Sequence, residues 1–122
     1  MKRSIGFALT IVLSFTLGVV GVSFARSRGL HFAGLTVKFE NDRVRVLELR
    51  LQPGERENQH MHPQYVLYAL TNYRVRNTSA DGTVRTFERK AGDVFWGEPI
   101  THGGQNIGNT ELRALIVELK PH

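Results

Sequence analysis

The sequence predicts an all-β fold, a small antiparallel barrel or jelly roll, and three observations carry that reading. From Leu35 onward no window keeps the i, i+3, i+4, i+7 spacing of an amphipathic helix. Several windows instead alternate apolar and polar residues with period two. Gly, Pro and Asp-Gly break these windows at short intervals, and so many short strands in an open sheet would leave edges that invite aggregation. Closure into a barrel or a double sheet follows. With 122 residues there is room for one such domain and one hydrophobic core.

The chain opens on Lys2 and Arg3, runs without charge through residues 5–22, and reaches small residues at Ser23 and Ala25. This reads as a signal peptide over residues 1–25, with an uncleaved membrane anchor over residues 5–22 as the competing reading. It implies a periplasmic or secreted protein in the first case and a membrane-anchored one in the second. Residues 26–34 read as a short linker and residues 35–122 as the barrel domain. There is no cysteine, so neither a disulfide nor a lipid attachment site is available.

Within the domain, Leu35–Glu40 alternates as a first strand. Val44–Leu51 begins with apolar residues at 44 and 46 and continues with them at 47, 49 and 51, a change of phase that predicts a β-bulge. Pro53-Gly54 ends it. Residues 60–71 contain the β-rich core Tyr65-Val66-Leu67-Tyr68, and residues 73–76 and 83–89 flank Ala80-Asp81-Gly82 as a hairpin. Ala91-Gly92-Asp93 turns into the short strand Val94-Phe95-Trp96, and Leu112–Leu119 is a final long strand.

The chain carries 16 Lys and Arg against 11 Asp and Glu. The basic residues are scattered along alternating segments, which describes a solvated face and not a nucleic-acid footprint. No nucleophile triad and no phosphate-binding glycine loop can be argued from the sequence. What stands out is His60-Met61-His62: two histidines two apart on a strand project from one face and can share a ligand. His102 lies in a Gly-rich segment, Thr101-His102-Gly103-Gly104, which reads as a connection able to bring a third imidazole back to that face. Three imidazoles can hold a divalent ion and leave coordination positions open.

These surroundings resemble the cupin superfamily in both of its sequence motifs. The first motif is matched in register by Gly54, His60 and His62, with Pro53 before the glycine. The second opens at Ala91-Gly92-Asp93-Val94 and closes on His102 and Asn106, one residue shorter than the family pattern, with Pro99 before the histidine. The ending Ala114-Leu115-Ile116-Val117-Glu118-Leu119 is also similar to that of small stand-alone bacterial cupins. The resemblance implies a cupin-type barrel, a double-stranded β-helix, with a metal ion inside. It also implies a turn or outer hydrogen-bonding role for Asn106.

The chain departs from the family at Val66 and Leu67, where the first motif has its glutamate, and near Tyr73 and Arg74, where the motif's closing glycine is absent. Either the site is a three-histidine one, as in the cupins that resemble thiol and diketone dioxygenases, or it has lost its metal. Retention of all three histidines favours the first. Gln64 and Glu98 are the side chains that could add a further contact, and Tyr68, Phe95 and Trp96 those that could line a pocket. Neutral imidazoles would leave the charge of an Fe2+, Zn2+, Mn2+ or Ni2+ ion uncompensated and favour anionic ligands. Binding should weaken as pH falls through ~6.5, where free imidazole protonates. The expected function is action on a small, anionic organic molecule, as an oxidoreductase of the non-haem dioxygenase kind or as a Lewis-acid enzyme. The alternative is a non-catalytic periplasmic binding module for a small molecule or a metal. A homodimer is compatible with either, and a membrane is a partner only if the signal is uncleaved.

Overall fold

A computed structural model describes residues 34–121, and the signal reading of residues 1–25, His31 and His122 lie outside them. Among the described residues there is no helix. Nine strands are present: β1 (Leu35–Glu40), β2 (Val44–Leu51), β3 (His60–His62), β4 (Tyr65–Ala69), β5 (Tyr73–Ser79), β6 (Val84–Arg89), β7 (Val94–Gly97), β8 (Ile100–Asn106) and β9 (Leu112–Leu119). They form two antiparallel sheets with strand orders β1-β2-β9-β4-β7 and β3-β8-β5-β6.

The period-two pattern sets which face is inward. On β9, Leu112, Ala114, Ile116 and Glu118 are buried in strict alternation, so the apolar stripe ends on a carboxylate. From β2, Leu47, Leu49 and Leu51 meet that stripe, and Tyr73 and Val75 of β5 close the core from the other sheet. Fully burying an aliphatic side chain of this size contributes roughly 1.5–3 kcal/mol, so the core follows from the alternation alone.

Two sequence expectations are corrected. The phase change in β2 is not a bulge, because β2 pairs with β9 in unbroken register from Val44↔Leu119 to Leu51↔Leu112. The inward phase simply continues through position 45, where an arginine stands opposite Glu118. The irregularity lies across the pair, on β1 between Val37 and Phe39. Nor is His102 in a connection: it sits within the seven-residue strand β8. That strand escapes a propensity reading because glycines occupy positions 103 and 104, where the chain before β3 crosses closely. A Cβ on Gly103 would come 3.1 Å from the Glu57 carbonyl oxygen. Glycine is the residue that permits such an approach within a strand.

Candidate metal centre

β3 and β8 pair antiparallel, with His60 directly opposite His102. His62 lies two residues along the same face of β3, so all three imidazoles project to the inside, and all three residues are buried. One nitrogen from each lies within 4.8 Å of the other two.

Hydrogen bonds at the outer nitrogens decide what the inner nitrogens can do. His60 Nδ1 donates to the Asn58 carbonyl at 2.7 Å, and His62 Nδ1 donates to Glu118 Oε1 at 2.6 Å. A carbonyl and a carboxylate only accept, so in the neutral rings both protons sit on Nδ1 and each Nε2 keeps a lone pair. Those two Nε2 atoms face each other at 2.8 Å. Two lone pairs at that distance repel unless a proton or a metal ion lies between them. Two nitrogens bound at ~2.0–2.1 Å and about a right angle would be ~2.9 Å apart, so the spacing fits a shared metal ion. His102 is buried with neither Nδ1 nor Nε2 hydrogen-bonded among the described residues. An orphaned buried polar group costs ~1–3 kcal/mol, a penalty that a ligand to His102 would remove.

Glu118 is held in turn. Its Oε2 accepts from Arg45 Nε at 2.6 Å and forms an ion pair with Nη2 at 2.6 Å. Burial pushes this carboxyl up, but the hydrogen bonds from His62 and Arg45 outweigh burial and bring it below the usual carboxylate range. Arg45, Glu118 and His62 thus form a chain from the barrel wall to the centre. Burial, and then the neighbouring His62 and His60, push His102 down to about 4. Burial likewise lowers His60. Both rings are therefore neutral donors at ordinary pH. Glu57 is a further buried carboxyl, with Oε2 3.8 Å from His60 Nε2, and burial pushes it up to about 8.

His62, His102 and Glu57 line a cavity of about 340 Å³. Leu49, Leu67, Leu112 and Ile116 make its walls apolar, and Tyr65 and Tyr73 add aromatic surface. Arg89, at the end of β6, also lines it, with its guanidinium carbon 5.2 Å from the Phe87 ring centre and 5.0 Å from that of Phe95.

No family model and no curated protein matches the chain. Among solved structures, a cupin domain from Bordetella pertussis Tohama I is similar at a TM-score of 0.65 and 28% identity, over 71% of this chain and 92% of that one. The fold is that of a cupin. A double-stranded β-helix protein from Klebsiella pneumoniae is similar at a TM-score of 0.57 and 24% identity, over 70% of each chain. Bacillus subtilis oxalate decarboxylase, a protein with Mn(II) centres, is similar at a TM-score of 0.51 and 27% identity, over 66% of this chain and 22% of that much longer one.

In this cupin barrel the other residues singled out from sequence are placed as follows. Gln64 and Glu98 bond each other at 3.2 Å on the exposed surface, and Trp96 Nε1 donates to Glu98 at 2.8 Å. Glu98 touches the cavity lining, whereas neither residue belongs to the three-histidine cluster. Phe95 lines the cavity, but Tyr68 and Trp96 lie outside its lining and are about half exposed. Period two explains the split: Tyr65 and Leu67 on β4 face in, and Tyr68 faces out. Asn106 is fully buried and donates to the Leu51 and Thr110 carbonyls while accepting from Gly108 N–H. It closes the turn before β9. Sequence reasoning passed over Glu57, Glu118, Arg45 and Arg89. Glu118 carried a signal, being a charge in the inward phase of β9, and Glu57 carried none.

Proposed function

We propose that this cupin binds one divalent metal ion on His60, His62 and His102 and acts there on a small anionic organic molecule. The observation that carries the reading is the convergence of three buried imidazoles, with His60 and His62 Nε2 2.8 Å apart and a His102 ring that no hydrogen bond holds among the described residues. Such an ion would supply Lewis acidity, or dioxygen activation if it is iron. The protein's own share is legible in its residues. Asn58 and Glu118 hold two rings in one tautomer. The apolar part of the wall, Leu49, Leu67, Leu112 and Ile116, gives an organic ligand a surface to lie against beside the histidines. Arg89 has no carboxylate partner among the described residues, so it is available to an anion whose apolar part lies along Phe87 and Phe95. We place the protein outside the cytoplasm on the strength of residues 1–25.

The test is metal analysis of untagged protein, then ligand titration. One ion per chain is expected, lost in His102→Ala and kept in His31→Ala. A fully loaded His102→Ala protein would sink the ligand assignment. Benzoate should bind the loaded protein more tightly than benzamide, and Arg89→Gln should reduce that preference. Oxygen uptake with thiols, diketones or phenolic acids distinguishes a dioxygenase from a Lewis-acid enzyme. Binding without turnover under any metal identifies a non-catalytic module instead.

A further inference from the structure

The carboxylate that the first motif lacks after His62 has a counterpart on the other side of the histidine pair. We propose that Glu57, three residues before His60, supplies an oxygen donor to the same ion and makes the centre a three-histidine, one-carboxylate site. This rests on the reading of the histidines as ligands.

Glu57 lies in the connection from β2 to β3, and that connection is bound along β8, the strand of His102. Gly54 N–H donates to the Asn106 carbonyl at 2.8 Å, Asn106 N–H to the Glu55 carbonyl at 3.0 Å, and Glu57 N–H to the Gly104 carbonyl at 2.9 Å. Arg56 and Gln105 form a bridge between them. The backbone that carries the carboxyl is thereby tied to the strand that carries a ligand.

The side chain is 3% exposed, and no lysine or arginine bonds it among the described residues. Its Oε1 lies where position 104 has no side chain: a Cβ there would come within 2.7 Å of it. Its Oε2 is buried, has no hydrogen-bond partner and lies 3.8 Å from His60 Nε2. Two donors bound to one ion at ~2.0–2.2 Å are between about 3 and about 4.4 Å apart, and 3.8 Å falls in that range. A buried carboxylate oxygen with no hydrogen-bond partner is costly, and so are the two buried His102 nitrogens that no group bonds among the described residues. One divalent ion resolves both. A glutamate donor lowers the charge of the centre by one, so anion preference then depends more on Arg89 and less on the ion.

The experiment is titration of metal-stripped protein with Zn2+ and Co2+, in the parent and in Glu57→Gln, Gly104→Ala and His102→Ala. Glu57→Gln should weaken Zn2+ binding by about ten- to a hundredfold, on the scale of a lost supporting or ligating group, and should change the visible Co2+ spectrum. Metal-stripped Glu57→Gln should unfold at a temperature no lower than the parent, because Oε2 has no partner until an ion is present and an amide can keep the hydrogen bond that Gly104 gives the carboxyl. Gly104→Ala keeps the carboxyl but displaces it, and should weaken Zn2+ in the same direction. Parent-like Zn2+ affinity and Co2+ spectrum in Glu57→Gln, with binding lost in His102→Ala, would overturn this inference and leave the proposed function standing. If Glu57→Gln fails to fold, Gly104→Ala decides, and parent-like affinity in that variant overturns the inference. A parent protein that binds no metal overturns the proposed function itself.

Discussion

His62 shows how far a single side chain is prepared by its neighbours. Its ring is oriented by Glu118, and Glu118 is fixed by the Arg45 guanidinium. Outer partners of this kind set ligand tautomer and basicity, so Glu118→Gln should lower metal affinity by about ten- to a hundredfold. Isothermal titration would check this, and an unchanged affinity would show that Glu118 serves packing alone. The pH dependence also belongs to this scale and revises the expectation from free imidazole. In the metal-free protein burial holds His102 down at about 4 and lowers His60, so protons compete for the His102 nitrogens only well below the usual histidine range and for those of His60 below its ordinary value. Proton competition at these two rings should therefore leave metal loading intact through pH ~6.5, and a loss that sets in below about 8 should belong to Glu57, whose carboxyl must give up its proton to ligate, and vanish in Glu57→Gln. The corresponding stability effect has a definite sign. The unfolded chain protonates these rings at the ordinary value while the fold keeps them neutral, so the stability that the two rings contribute to metal-free protein is lost as pH falls below ~6.5. Between pH 7.5 and 5 the thermal midpoint of the parent should fall relative to that of His102→Gln, because Glu57, raised to about 8, acts in the opposite direction but equally in both proteins.

At the scale of elements, the site depends on two close approaches that only glycine allows. Gly104 leaves the slot for Glu57. Gly97, at the end of β7, lies against the Tyr65 ring on β4, and a Cβ there would fall 2.0 Å from a ring carbon. Tyr65 is buried, and its ring centre is 5.0 Å from that of His62. Gly97→Ala must therefore push β7 or the ring aside. The expected cost is that of an overpacked core, about 1–3 kcal/mol, measurable by denaturant unfolding. A variant as stable as the parent would mean that the edge strand yields freely.

The molecule as a whole places its cavity between two sheets whose inner faces supply both the apolar walls and the ligands. All core side chains found among the described residues lie between Leu35 and Ile116. A chain beginning at residue 26 should therefore fold and bind metal as the full chain does, which circular dichroism and zinc titration would check. Leu112 is fully buried in the core and also lines the cavity. Leu112→Ala should cost about 2–5 kcal/mol as a large-to-small core change. It should also enlarge the ligand space, so that bulkier carboxylates gain affinity relative to benzoate.

The sequence by itself determined the strand content, most strand positions, the apolar positions 47, 49 and 51 of β2 and the pairing of His60 with His62 on one face. These are local matters, because a period of two and a turn residue act over a few positions. It also exposed His102 as the third histidine, through a motif spacing and not through geometry. Only the tertiary structure decided that His102 sits in a strand, that Arg45 continues the inward phase of β2, and that Glu118 and Glu57 stand next to the histidines. Each of these depends on a partner far away in the chain: Arg45 is tolerated inside because Glu118 is its cross-strand neighbour, and the glycines of β8 form a strand because the chain before β3 lies against them. Burial and pairing arise between segments, so no window of the sequence contains the reason for them.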